Sequence, residues 1–157
     1  MSLNVLEGHF NSGSHTFEIV AAKFNQAVVD RLVEGALDGL RRHGVADKNI
    51  TLVRVPGSYE IPLVANKLAL SAKFSSIICL GAVIKGETDH YDHVAGASTN
   101  GIAGISLQTG IPVIFGVLTC DTLEQAINRA GAKAGNKGFE AALAAIEMAD
   151  LILKLPK

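Results

Sequence analysis

Four short apolar runs, each followed by a stretch with helical spacing, restrict the fold of this chain more than any other feature. The runs are residues 17–22 (FEIVAA), 50–55 (ITLVRV), 76–83 (SIICLGAV) and 112–118 (PVIFGVL). Runs of this length suit strands buried between two layers of helix. Residues 25–43 follow the first run with Val29, Leu32, Val33, Ala36, Leu37 and Leu40 on one side of a helix, and Arg41, Arg42 and Gly44 supply stop chemistry. Pro56-Gly57 breaks the second run. Ser58 is expected to cap a helix over about residues 59–72, with Pro62 near its first turn, where a missing donor costs little. Further helices are expected over about 93–109, 122–132 and 137–153. Strands alternating with helices give a parallel sheet covered on both faces and joined by right-handed crossovers. With 157 residues and no repeat, low-complexity tract or linker, the chain reads as one domain, residues 1–157.

The charge balance, 14 basic against 15 acidic residues, argues against nucleic acid as a partner. Hydrophobic residues make up 48% and charged ones only 18%, yet no segment is long and apolar enough to span a membrane, so self-association is expected to hide the excess. Cys79 and Cys120 sit in or beside apolar strands and form no framework or metal pattern, which suits reduced, packed thiols. Residues 1–7 lack the basic region and long apolar core of a signal peptide, so a cytoplasmic location is expected. Residues 3–6 are too short for a core strand and are expected to pair with a neighbouring subunit's sheet edge.

Open parallel sheets bind ligands beyond the carboxyl ends of their strands. Four clusters fall there: Lys23-Phe24-Asn25, the Pro56-Gly57-Ser58-Tyr59-Glu60 segment, residues 86–90, and the region after Leu118. The third is the most telling, because apolar positions give way to Lys85, Glu87, Asp89, His90, Asp92 and His93 within a few residues. A fold rarely needs that polarity at a strand's end, whereas a reaction site often does. His90 is the candidate acid/base, since an imidazole ordinarily titrates near neutrality.

These clusters resemble those of the lumazine synthase family, which carries out the penultimate step of riboflavin biosynthesis. The resemblance spans nearly the whole chain in order: Lys23-Phe24-Asn25, then residues 55–62 (VPGSYEIP), 80–91 (LGAVIKGETDHY), 112–116 (PVIFG), 124–127 (EQAI) and 129–138 (RAGAKAGNKG). It implies a three-layer α/β/α sandwich with a four-stranded parallel, flavodoxin-like sheet. It also implies condensation of 5-amino-6-(D-ribitylamino)uracil with 3,4-dihydroxy-2-butanone 4-phosphate to 6,7-dimethyl-8-ribityllumazine, phosphate and water, without metal or organic cofactor. Family members are homopentamers with active sites between adjacent subunits. Some close twelve pentamers into a sixty-subunit icosahedral shell, and association with riboflavin synthase is a further implied partnership. The uninterrupted Gly135-Asn136-Lys137-Gly138 junction resembles the shell-forming members.

By the same resemblance, Phe24 stacks on the pyrimidine ring. Ser58, Tyr59 and Glu60 hold the ribityl chain and ring, and Ala82, Val83 and Ile84 offer backbone groups to the uracil edge. Gly86, Glu87 and Thr88 form a phosphate turn that Arg129 completes from the neighbouring subunit. His90 moves protons, Phe115 packs on the substrate ring from the adjacent subunit, and Asn25 and Lys137 are additional candidates. Read without the family, Phe24 is a core or helix-entry residue, Phe115 a core phenylalanine, Glu60 a helix-start carboxylate, His90 a structural loop histidine, and Arg129 with Lys133 and Lys137 a solvated basic stripe.

Lys23 and Lys85 stand where the family commonly has arginine, Ala132 where it has threonine, and Glu87 where alanine is frequent; Glu87 is expected to point outward, leaving its N–H in the pocket. A zinc reading of His90 and His93 with Asp89 and Asp92 lacks a third-ligand pattern, and a Lys85 imine is unnecessary when a substrate brings its own amine. Three rival readings share the general architecture. They are an archaeal-type riboflavin synthase, a non-catalytic flavin-binding or shell-forming protein, and a flavodoxin-like mononucleotide binder. The last is disfavoured because Lys23-Phe24-Asn25-Gln26 is poor in Gly, Ser and Thr.

Overall fold

A computed structural model describes residues 2–133 and 135–157. Ala134, within the resembling segment after Arg129, lies outside the described residues. The strands are β1 (Phe17–Ala22), β2 (Ile50–Val55), β3 (Ser76–Ile84) and β4 (Val113–Cys120). They form one parallel sheet in the order β2-β1-β3-β4, with Phe17 in register with both Ile50 and Ser76, and Ile78 with Ile114. The helices are α1 (Gln26–Arg42), α2 (Ile61–Ser71), α3 (His90–Thr109), α4 (Leu123–Arg129) and α5 (Lys137–Lys154).

Alternation along the strands divides the core into two layers. Phe17, Ile19 and Ala21 face a cluster built by α1, α4 and α5, whereas Val20 and Ala22 join one built by α2 and α3. Val29, Leu32, Val33, Ala36 and Leu40 of α1 are buried as their spacing predicts. Helices α1 and α5 pack so closely that a Cβ at Gly138 would collide with the Leu32 backbone carbonyl.

The junction before α5 is stitched by one side chain. Asn136 Nδ2 donates to the carbonyls of Arg31 at 3.0 Å and Ala130 at 3.2 Å, while its Oδ1 accepts the Phe139 N–H at 3.1 Å as the α5 N-cap. That bracing ends α4 at Arg129, earlier than the spacing predicts: Ala130 pairs with Asn136 in an antiparallel bridge and Gly131 turns the chain at φ +107°. A capping box opens α4, with Thr122 Oγ1 accepting the Gln125 N–H and Gln125 Oε1 accepting the Thr122 N–H.

Several local expectations are corrected. Ser58 does not cap α2. Residues 58–60 form a single 3₁₀ turn, and α2 begins at Ile61 with Pro62 in its first turn and no side-chain cap. Helix α3 begins at His90 and not at about residue 93, so His90 occupies a helix N-terminus and not a loop. Strand β2 is an edge strand in which only Val55 is buried; Thr51, Leu52 and Arg54 remain exposed. Residues 3–6 form no strand in the single chain, and Leu3, Val5 and Leu6 are exposed there. The following residues run along α5, where the His9 N–H donates to Asp150 at 2.7 Å and Lys154 Nζ to the Glu7 carbonyl at 3.0 Å.

Candidate active site

The carboxyl ends of β1, β2 and β3 meet because the β1–β2 ladder continues past the strands. The Lys23 N–H donates to the Val55 carbonyl at 2.7 Å and the Phe24 N–H to the Pro56 carbonyl at 3.0 Å. Phe24 is therefore held beside the Pro56-Gly57 turn, and at 72% exposure it is not a core residue. The next residue, Asn25, adopts a left-handed conformation (φ 59°), and its Nδ2 donates 2.8 Å to the Ala82 carbonyl in β3. Asn tolerates that backbone region better than most residues, so one residue turns β1 into α1 and ties it to β3.

Ser58 is buried beneath Gly81, where a Cβ would collide with the Ser58 hydroxyl oxygen. Its carbonyl lies 2.9 Å from Ser98 Oγ on α3, a fully buried hydroxyl that also lies 2.8 Å from the Val94 carbonyl. With Ser58 clamped, Tyr59 and Glu60 are left exposed at the rim.

Two adjoining clefts result. The inner one, about 210 Å³, is lined by Asn25, Ala82, Val83, Ile84, Gly86, Thr88 and Tyr91, and the outer one, about 520 Å³, by Pro56, Gly57, Tyr59, Glu60 and His93. Phe24, Ser58, His90 and Val94 line both. His90 thus stands at the junction, in the first turn of α3, with its N–H 3.4 Å from Thr88 Oγ1. Glu87 is exposed and lies outside both linings.

Three further predicted residues are not brought there. Phe115, Arg129 and Lys137 line a separate cleft of about 320 Å³ at the β4 edge, with Cys120 and Glu140. Lys137 Nζ lies 4.0 Å from Glu140 Oε2, and Arg129 makes no ion pair with a carboxylate among the described residues. Burial pushes the Cys120 thiol above its ordinary pKa, with the Arg129 charge opposing and Asp121 reinforcing the shift. Cys79, fully buried in β3, is pushed up to about 12 by burial alone. Both thiols are free.

Sequence reasoning missed Ser98, His93 as a cleft residue, and Glu140. Ser98 reads as an ordinary small helix residue until Ser58 is placed against it. Among the described residues, no three His, Cys, Asp or Glu side chains gather as a metal centre requires, and no helix is long and apolar enough to cross a membrane.

Two comparisons bear on identity. The family described as 6,7-dimethyl-8-ribityllumazine synthase matches residues 14–152. A protein of Lawsonia intracellularis (strain PHE/MN1-00) named 6,7-dimethyl-8-ribityllumazine synthase is 54% identical over 153 residues, covering 98% of each chain. The agreement of these matches with the sheet topology and the cleft between the ends of β1, β2 and β3 is decisive: the chain belongs to the 6,7-dimethyl-8-ribityllumazine synthase family of riboflavin biosynthesis.

Proposed function

We propose that this chain condenses 5-amino-6-(D-ribitylamino)uracil with 3,4-dihydroxy-2-butanone 4-phosphate, in a site that two adjacent subunits complete. The observation that carries the reading is the division of the candidate residues. One group lines the adjoining clefts around His90, and the other, with the guanidinium, lines a separate cleft at the β4 edge. Neither lining around His90 includes a Lys or Arg to complete a phosphate pocket, whereas the β4-edge cleft holds Arg129 and Lys137. A second copy brings its β4 edge to the first copy's clefts.

In this arrangement the Phe24 ring stacks on the pyrimidine, a contact that contributes about 0.5–1.5 kcal/mol beyond area burial. Backbone groups of Ala82, Val83 and Ile84 read the uracil edge, and Glu60 accepts hydrogen bonds from ribityl hydroxyls. The phosphate sits on the N–H groups of residues 86–88 at the amino end of α3, where the helix dipole favours an anion. Arg129 of the adjacent copy completes that pocket with a planar fork suited to phosphate, and Lys137 adds charge. Phe115 of the adjacent copy covers the ring.

The substrate amine attacks the ketone carbonyl, and loss of water gives an imine. Removal of the C3 proton next to that imine expels phosphate from C4 and leaves an enol, which tautomerises to a ketone at C3; attack of the ribitylamino nitrogen on that new carbonyl, with loss of a second water, closes the ring. His90 relays protons in these steps. Amine–ketone condensation is intrinsically facile, so holding both substrates together supplies much of the acceleration.

Leu63, Leu70 and Leu107 are exposed on the single chain and both sheet edges are unpaired among the described residues, which supports self-association; the homopentamer is the assembly that the family implies. Residues 3–6 add to a neighbouring subunit's sheet edge. The braced, uninterrupted Gly135-Asn136-Lys137-Gly138 junction supports closure into a sixty-subunit shell, with riboflavin synthase as an associated partner and the cytoplasm as location.

Mixing the purified protein with both substrates and measuring the lumazine by mass spectrometry tests the activity. Product above a protein-free control is expected, and its absence overturns the reading. Light scattering on a sizing column reads the assembly.

A further inference from the structure

His90 and His93 lie three positions apart at the start of α3, which places both imidazoles on one helix face. Their surroundings differ. His90 lines both the inner and the outer cleft, whereas His93 lines only the outer one, opposite Pro56, Gly57, Tyr59 and Glu60. A group confined to the outer cleft is removed from the backbone of Ala82, Val83 and Ile84 and from the turn at residues 86–88. It is therefore placed for the tail of a ligand whose ring occupies the inner cleft.

The other exposed polar side chains of the outer wall are the Tyr59 hydroxyl, the Glu60 carboxylate and His90, fewer donors than the several hydroxyls of a polyol ask for. An ionised Glu60 offers acceptors only, and Ser58 is buried with its carbonyl already engaged by Ser98. A polyol presents hydroxyls that each need a donor as well as an acceptor. An imidazole offers one nitrogen of each kind. Resting on the condensation reading above, we propose that His93 is a specificity residue for the polyhydroxylated side chain of the pyrimidine substrate, with no part in proton transfer at the reacting centre.

The test is steady-state kinetics on the assembled protein carrying His93→Phe or His93→Gln. For His93→Phe, the KM for the ribityl pyrimidine is expected to rise about five- to tenfold, the loss of one hydrogen bond. The kcat and the KM for the ketone phosphate should stay within twofold. His93→Gln, which keeps a donor and an acceptor, should recover most of the loss. On a pyrimidine amine bearing an N-propyl group in place of the ribityl chain, wild type and His93→Phe should have equal KM. The proposal is overturned if the ribityl KM is unchanged in His93→Phe, or if the variant loses kcat or shifts the pH–rate profile. It is also overturned if the N-propyl substrate shows the same penalty. A wild-type protein that makes no lumazine fails at the earlier step, and that outcome is read from the unmutated enzyme alone.

Discussion

Asn25 Nδ2 donates 2.8 Å to the carbonyl oxygen of Ala82, so the residue that follows the exposed Phe24 ring also fixes the backbone at the end of β3. The cleft wall and the cleft floor are one mechanical unit through this bond. Asn25→Gly keeps the left-handed backbone and removes the tie, whereas Asn25→Ala adds steric strain to the same loss. Expected destabilisation is about 1 kcal/mol for the glycine variant and about 2–3 kcal/mol for alanine. Denaturant unfolding checks this, and equal stability of the two variants would show that the left-handed conformation carries no cost here.

Arg129→Ala should raise the KM for the ketone phosphate by about tenfold to a hundredfold for each charge-assisted bond lost. The KM for the pyrimidine should hardly move, because in the proposed site the adjacent copy's guanidinium reaches the phosphate at residues 86–88 and not the pyrimidine ring. Unchanged ketone phosphate kinetics would remove Arg129 from the phosphate pocket.

His90→Ala should be slowed by about 10²–10⁴-fold at most, the usual reach of general acid–base catalysis. A residual rate above the protein-free control is expected, because the remaining clefts still bring amine and ketone together. Complete loss in a folded variant would mean that proton transfer, and not positioning, limits the reaction.

Glu18 carries the clearest pH dependence. It lies fully buried in β1, neither carboxylate oxygen has a hydrogen-bond partner among the described residues, and burial lifts its pKa from 4.5 to about 7. Between those values the folded chain holds a proton that the unfolded chain has released, so stability falls as pH rises through this window and levels off above it. The full effect is at most about 3 kcal/mol. Glu18→Gln should remove the slope and gain on the wild type at pH 7 and above. Parallel melting curves for the two proteins across pH 5–8 would dismiss the effect.

Much of this was legible in the sequence, and the limits have physical causes. The strands could be read because Ile19, Val20, Ile77 and Ile78 sit in unbroken apolar runs, and α1 because its buried residues keep helical spacing. The 3₁₀ turn at residues 58–60 could not, because Ser58 is held by Ser98 and Gly81, distant in sequence. Local capping chemistry at Ser58 lost to that tertiary contact. The sealing of Glu18 could not be read either, since the sequence does not show which strand faces are covered. The split between His90 and Arg129 follows from where β3 and β4 end in space, which residue spacing alone does not encode.

The separation of His90 from the Arg129 cleft has a genetic consequence. If each site borrows its guanidinium from next door, two crippled alleles need not be crippled together. Co-expressing a chain lacking the imidazole with one lacking the guanidinium would leave about one site in four with both groups intact, by random placement around a ring. Heterozygous rescue would then arise from neighbours trading halves, with neither polypeptide repaired.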